Sequence, residues 1–307
     1  MSARLFARWK DGPWTAALLL AAACVLAFAP DVYLLMMARA FLWPWTFAFA
    51  AVAAAALLTR RWWSAGAALS AALLVGTPPR SIEQAPTRDG RLVLRAAQMN
   101  LLQPNDRYAE VIASALATEA DVISFQEVSP AWAEVLIGAL GTRYPHRVLH
   151  PATNCYGIAL FSRHPLHGSQ VLDLNGSPMI VATMAAPAGA VDVLAVHTTS
   201  PGDLGHFERR NAQLHALPAH VAACTNPVVL IGDLNAVCWD RALVRMCMRS
   251  GLRGHPDDRR PTWPSLVGVS LAPIDHILIT PGLFIADLDH FTIPGSDHRG
   301  LVARIHQ

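Results

Sequence analysis

A chain of 307 residues that is 53% hydrophobic and 15% charged, with positive mean hydropathy, is too apolar to be a soluble domain alone, so part of it is expected in lipid. The formal charge of +2 hides a split, because residues 1–91 hold Lys10 and eight arginines beside four acids, leaving 15 basic and 18 acidic residues in 92–307. That part is formally −3 and lacks the basic surplus of a nucleic-acid binder.

Residues 13–30 and 41–58 are uncharged apolar runs long enough to cross a hydrocarbon core of roughly 30 Å. A third run, 62–77, opens with Trp62 and Trp63, which suit an interfacial belt. Three transmembrane helices are therefore expected in a membrane region spanning 1–77. Arg4, Arg8 and Lys10 precede the first run, and Arg60 with Arg61 separate the second from the third, so both segments are expected in the cytoplasm. Three crossings place everything after Thr77 outside a bacterial-type cytoplasmic membrane, although Arg39 and Arg80 on that side weaken the bias. The rival reading is a signal peptide cleaved after Ala27-Phe28-Ala29, against which Pro30 and the later runs speak.

Residues 78–91 hold three prolines and no apolar periodicity, as a linker does. The domain is expected over 92–307. Its four cysteines, Cys155, Cys224, Cys238 and Cys247, permit two disulfides or four free thiols, and none has zinc-site spacing. Strands are expected at 92–99, 121–126, 157–162, 178–184, 191–196, 227–232, 274–280 and 299–305, and helices at 106–118, 130–140, 203–223 and 239–250. Strand-helix-strand order early and consecutive strands in the middle point to an α/β (α+β) fold with mixed sheets covered by helices.

Polar residues collect where these strands end. Asn100, Glu127, His197 and the pair Asp233 and Asn235 each follow an apolar strand, Asp275 and His276 open another, and Ser296-Asp297-His298 precedes the last. Residues two apart in extended chain share a face, so Asp233 and Asn235 can address one site. Glu127 with Asn100 offers hard oxygen ligands, suited to Mg²⁺ or Mn²⁺ far better than to zinc. A lone aspartate at a strand end is usually a turn former or cap; six polar ends together are not. Ten other histidines, His215, His255 and His290 among them, are read as surface or packing residues, and Arg209 and Arg210 as a solvated helix face.

QMN at 98–100, FQEV at 125–128, GIALFSR at 157–163, GDLNA at 232–236, IDHIL at 274–278 and SDHRGL at 296–301 resemble, in that order, the endonuclease/exonuclease/phosphatase superfamily. The resemblance spans 92–307 and implies a four-layer sandwich of two mixed sheets flanked by helices. It implies Asn100, Glu127 and Asp297 at the metal, and Asp233 orienting or deprotonating the attacking water with help from Asn235. It further implies Asp275 holding His298 protonated against the phosphate, and His197 near the scissile group. Trp263 in the PTWP segment is a candidate substrate contact. With its membrane region the chain also resembles the VanJ-like proteins associated with teicoplanin resistance.

The combined expectation is a membrane-anchored, Mg²⁺- or Mn²⁺-dependent phosphoesterase acting at the outer face of the membrane on a lipid-linked phosphate or diphosphate of the cell envelope. A surface-tethered nuclease and a non-catalytic membrane binding protein are the alternatives. The −3 charge speaks against the first, and the full set of polar strand ends against the second.

Overall fold

The computed structural model describes residues 11–77, 81–85, 90–265 and 268–307, and the chain divides into two units, 1–81 and 82–307. Arg4, Arg8, Lys10 and Arg80, used above to orient the chain, lie outside the described residues.

The described residues of the first unit form four helices, with no strand among them: α1 Pro13–Phe28, α2 Tyr33–Ala40, α3 Leu42–Leu58 and α4 Trp62–Gly76. The three apolar runs each form a helix, but these have 16, 17 and 15 residues, about 24, 26 and 23 Å at 1.5 Å per residue. Among the described residues no single helix is long and apolar enough to cross a membrane, which departs from the expectation of three simple spans. The added α2 follows α1 across a break bent by 99°, and only that pair has the combined length. Small residues fill the interior, with Ala23, Ala53, Ser64, Ala68 and Ala71 buried, while Trp14, Leu18, Leu34, Phe47, Leu58 and Leu73 are exposed. Arg39 is buried at the bend, paired with Asp31 at 3.0 Å and donating to the carbonyls of Leu26 and Ala29.

The second unit is built on two sheets. The first runs in the order β10-β11-β1-β2-β4-β3, with β1 Leu92–Asn100, β2 Val122–Gln126, β3 His146–His150, β4 Ile158–Ser162, β10 Phe284–Thr292 and β11 Arg299–His306. The second runs β5-β6-β7-β8-β9, with β5 Leu166–Asp173, β6 Pro178–Ala186, β7 Gly189–His197, β8 Val228–Asp233 and β9 Asp275–Ile279. Each sheet has one parallel pair, β1 with β2 and β7 with β8, and is otherwise antiparallel. Alternate residues such as Leu94, Leu301, Val193, Ile231 and Ile277 meet in one core between the sheets.

Helices α5 Tyr108–Ala117 and α6 Pro130–Leu140 cover the first sheet, where Val111, Trp132 and Leu136 pack on Met99, Phe125 and Phe161. Leu194, Val196 and Leu230 are buried although they lie outside the inter-sheet core. They face the fourth layer, formed by α7 Leu204–Ala222 and α8 Arg241–Ser250.

Three strands had no signal in the sequence. β3, β5 and β10 are edge strands in the sheet order, and β5, with sequence LHGSQVLD, is mostly exposed and has no apolar alternation. Edge strands tolerate such polarity because only one side pairs. The expected linker is not free throughout: Ile82 and Ala85 are buried, with Ile82 N–H donating to Cys238 O and Ala85 N–H to Gly254 O. This stretch therefore belongs to the second unit. No disulfide joins the cysteines.

Candidate active site

The parallel pairs bring polar strand ends to one edge of the sandwich. β1 and β2 set Asn100 beside Gln126, with Glu127 next; β7 and β8 set His197 beside Asp233, and β9 sets Asp275 opposite Asp233. Asp233 reaches this edge because Gly232 precedes it. A Cβ at Gly232 would lie 1.8 Å from the Val196 carbonyl oxygen, so only glycine lets β8 approach β7 so closely. Glu127 and Asn235 both adopt left-handed backbone, with φ of 61° and 45°. Such conformations are costly for residues with a Cβ and gather at functional sites.

His298 Nδ1 lies 2.9 Å from Asp275 Oδ2, and the other oxygen of Asp275 accepts from Gln98 Nε2 at 2.7 Å. His298 Nε2 stands 3.7 Å from Asp233 Oδ2 and 3.9 Å from Asp297 Oδ1. His197 Nε2 is 3.6 Å from the same Asp233 oxygen. Asn100 Nδ2 donates to Asp233 Oδ2 at 3.1 Å and to Glu127 Oε1 at 3.2 Å, while Glu127 Oε2 accepts from Gln103 N–H at 2.9 Å. One cluster thus gathers Asn100, Glu127, His197, Asp233, Asp275 and His298.

Burial makes the electrostatics strong, since Asp233 and Asp275 are each 1% exposed and His298 4%. Desolvation followed by the charge of Asp275 pushes Asp233 up to about 8, against the opposing charge of His298. Desolvation would lower His298, but the charge and hydrogen bond of Asp275 override it and raise the imidazole to about 10. Asp275 moves below its ordinary range because His298 overcomes the effect of burial. His197 is lowered, chiefly by burial, and stands neutral. The site therefore holds an imidazolium, its carboxylate partner and a second carboxyl that resists ionisation.

Some placements differ from the expectations. As placed, Asn100 turns its oxygen to Leu102 N–H at 3.0 Å and its NH₂ to the carboxylates, so it braces Glu127 and does not face outward as a ligand. Asn235 holds Asp233 Oδ1 through its backbone N–H at 2.9 Å, and its side-chain amide donates to Thr198 O. Trp263 donates its indole N–H to Asp297 Oδ2 at 2.9 Å, which ties it to the site through that aspartate. Arg210 is not solvated: it is 1% exposed, paired with Asp240 at 2.9 Å and donating to Asn235 O at 3.0 Å. Sequence reasoning gave no role to Gln98, to Gln126, which holds Gln98 at 2.8 Å, or to Thr262, whose hydroxyl accepts from Ile274 N–H. His276 is likewise structural, its Nε2 2.8 Å from Ala236 O. Gln98 was within reach, because it lies two residues before Asn100 on the same strand face.

The ligand atoms of Asp233, Asp275 and His298 lie within 4.8 Å of one another, a spacing that could hold a metal. An imidazolium has no lone pair to give, however, so His298 is poorly suited to that task. The Glu127 carboxylate and Asp297 fit a hard cation better, since Asp297 Oδ1 is buried with no hydrogen-bond partner among the described residues.

No curated protein matches the chain. Among solved structures, an endonuclease/exonuclease/phosphatase from Beutenbergia cavernae DSM 12333 superposes with a TM-score of 0.58 at 21% identity, covering 70% of this chain and 72% of that one. TDP2 from D. rerio, complexed with a single-stranded DNA product, gives 0.60 at 15% identity over 70% and 99%. Sphingomyelinase C from Streptomyces griseocarneus gives 0.52 at 18% identity over 69% and 99%. At these identities the likeness is one of fold. The profile of the Endonuclease/Exonuclease/phosphatase family matches residues 94–298, from the first strand of the cluster to its histidine, and the chain belongs to that family of hydrolases, whose members are typically divalent-metal-dependent.

Proposed function

We propose that this chain is a Mg²⁺- or Mn²⁺-dependent phosphoric ester hydrolase, anchored by its N-terminal helices with the catalytic domain outside the cytoplasm. We propose further that it acts on a lipid-linked phosphate or diphosphate of the cell envelope. The observation that carries the chemistry is the buried Asp275-His298 pair aimed at Asp233 beside Glu127. When bound by Glu127 and Asp297, a divalent cation would neutralise the charge of the phosphate. His298, kept protonated by Asp275, donates to the phosphate oxygens or the leaving group. Asp233, held by Asn235 N–H and Asn100, orients the attacking water and, in its ionised form, takes its proton, so this step gains as pH rises towards about 8. His197, neutral and buried, is a hydrogen-bond donor facing the same oxygen of Asp233.

The anchor reading is supported by the inverted packing of the first unit, small residues inside and large apolar ones outside. Soluble proteins rarely expose such surface, whereas helices in lipid pack through small residues. Helices of about 23–26 Å meet a core of roughly 30 Å by local thinning of the bilayer. The fold does not choose the substrate, since it is shared with a DNA-bound TDP2 and with a sphingomyelinase C. The domain charge of −3 favours a lipid phosphate over a polyanion, and the sequence resemblance to VanJ-like proteins is what suggests a link to glycopeptide resistance as part of this proposal. Purified full-length chain with Mg²⁺ should release phosphate or a headgroup from phosphorylated lipids, lose this activity in EDTA and spare plasmid DNA. Efficient DNA cutting with no action on lipid would overturn the substrate assignment.

A further inference from the structure

Beneath the cluster, the inner faces of β1 and β2 change character. Along β1, Leu94 and Ala96 belong to the core between the sheets, and the next residue on that face is Gln98. Along β2, Val122 lies in the same core and is followed on its face by Ser124 and Gln126. These three polar side chains are fully buried and joined in a row. Gln126 Nε2 donates to Ser124 Oγ at 2.7 Å, and Gln98 Nε2 donates to Gln126 Oε1 at 2.8 Å and to Asp275 Oδ1 at 2.7 Å. The last of these bonds crosses from the first sheet to the second.

A glutamine at this depth is costly. Its NH₂ is committed to two acceptors, and its Oε1 is buried with no hydrogen-bond partner among the described residues. An unmet buried acceptor costs on the order of 1–3 kcal/mol, and an apolar residue of similar length would fill the space without that cost. What Gln98 supplies, and such a residue cannot, is a donor for the oxygen of Asp275 that His298 leaves, since His298 Nδ1 stands 2.9 Å from Oδ2. With both oxygens bonded, the plane of the carboxylate is fixed, and that plane sets where the other ring nitrogen of His298 points. The Thr262 hydroxyl also favours the ionised Asp275, and it is Gln98 that ties this carboxylate to the opposite sheet. We infer that Gln98 is a positioning residue of the reaction, acting through Asp275 to hold His298 in its working orientation, with Gln126 and Ser124 holding Gln98 in turn. The inference rests on the hydrolase reading given above.

The test uses the full chain in detergent micelles with Mg²⁺ and bis(p-nitrophenyl) phosphate as the probe. Gln98→Met, close in length and without a donor, should lower kcat by roughly 10- to 100-fold, the range for a lost outer partner of an active group, with KM little moved. In an Asp275→Ala background the same change should add almost nothing, because the interaction it removes is already gone. A residue that only packs would cost as much in both backgrounds. The His298 Nδ1–H resonance, carried downfield by its bond to Asp275, should shift in Gln98→Met, and this readout needs no turnover. In wild type the two side-chain amide protons of Gln98 should be protected from exchange with solvent, a measurement that stands even if the variant fails to fold. A drop in kcat below roughly tenfold, an equal loss in both backgrounds, an unmoved His298 resonance or unprotected amide protons would overturn the assignment. Should no form of the chain act on the probe, the hydrolase reading fails, while the two resonance measurements still decide whether Gln98 sets His298.

Discussion

His298 and Asp275 exchange stabilisation that each loses alone. The imidazole is raised from an ordinary 6.5 to about 10, so its contribution is complete below pH 6.5 and disappears as pH climbs through 10. Asp275 is lowered from 3.8, so its share is present above that value and fades as pH falls through the depressed one. Melting curves of wild type should therefore decline between pH 6.5 and 10 in a way that His298→Asn does not reproduce; parallel curves would rule out the pairing. In turnover, His298→Ala should lower kcat by about 10²- to 10⁴-fold, the range for a lost proton donor. Asp233 has the opposite sign. Raised from 3.8 to about 8, it opposes folding increasingly from pH 3.8 up to about 8. Asp233→Asn should then be inactive yet melt higher in EDTA at pH 8.5, by roughly 2–4 °C for each kcal/mol relieved. A lower melting point would show that Asp233 stabilises the fold.

At the scale of elements, the Arg210-Asp240 pair fastens α7 to the start of α8 and to the loop carrying Asn235. Arg210→Met should destabilise by about 3–5 kcal/mol, because Asp240 is left buried and uncompensated, whereas Arg210→Met with Asp240→Leu should recover much of that. Chemical denaturation distinguishes these, and equal losses in both variants would contradict the reading. This pair was invisible in the sequence because its members are 30 residues apart and a helical arginine ordinarily reaches solvent. The central strands were legible, since β1, β2, β7 and β8 are apolar runs buried on both faces and end in the residues of the cluster. The edge strands β5 and β10 were not, because one side pairs with nothing and the apolar alternation lapses. Asp275 with His298 was legible as motif order, but Gln98, which fixes the second oxygen of Asp275, lies in a run that reads as plain strand. Asn100 was legible as a member of the site, not by the direction of its amide.

For the whole molecule, the anchor reading predicts that the chain stays in the membrane pellet after carbonate washing. Replacing outward Leu18, Phe47 and Leu73 by Lys should release it or prevent its insertion. A reporter fused after Gln307 should be active outside the cytoplasm, and activity inside would invert the topology. That outcome depends on parity, to which one buried residue contributes. Arg39 ties the carbonyls closing α1 to Asp31 beyond them and sits on α2 itself, as a cation at a helix C-terminus does. A corner fastened from three sides does not straighten into a longer rod. On the anchored reading α1 and α2 therefore count together as one passage, α3 and α4 add two, and the total stays odd. On that reading Arg39→Ala should loosen the corner, and the same reporter should then be active on both faces; activity on one face only would show that the corner does not set the topology.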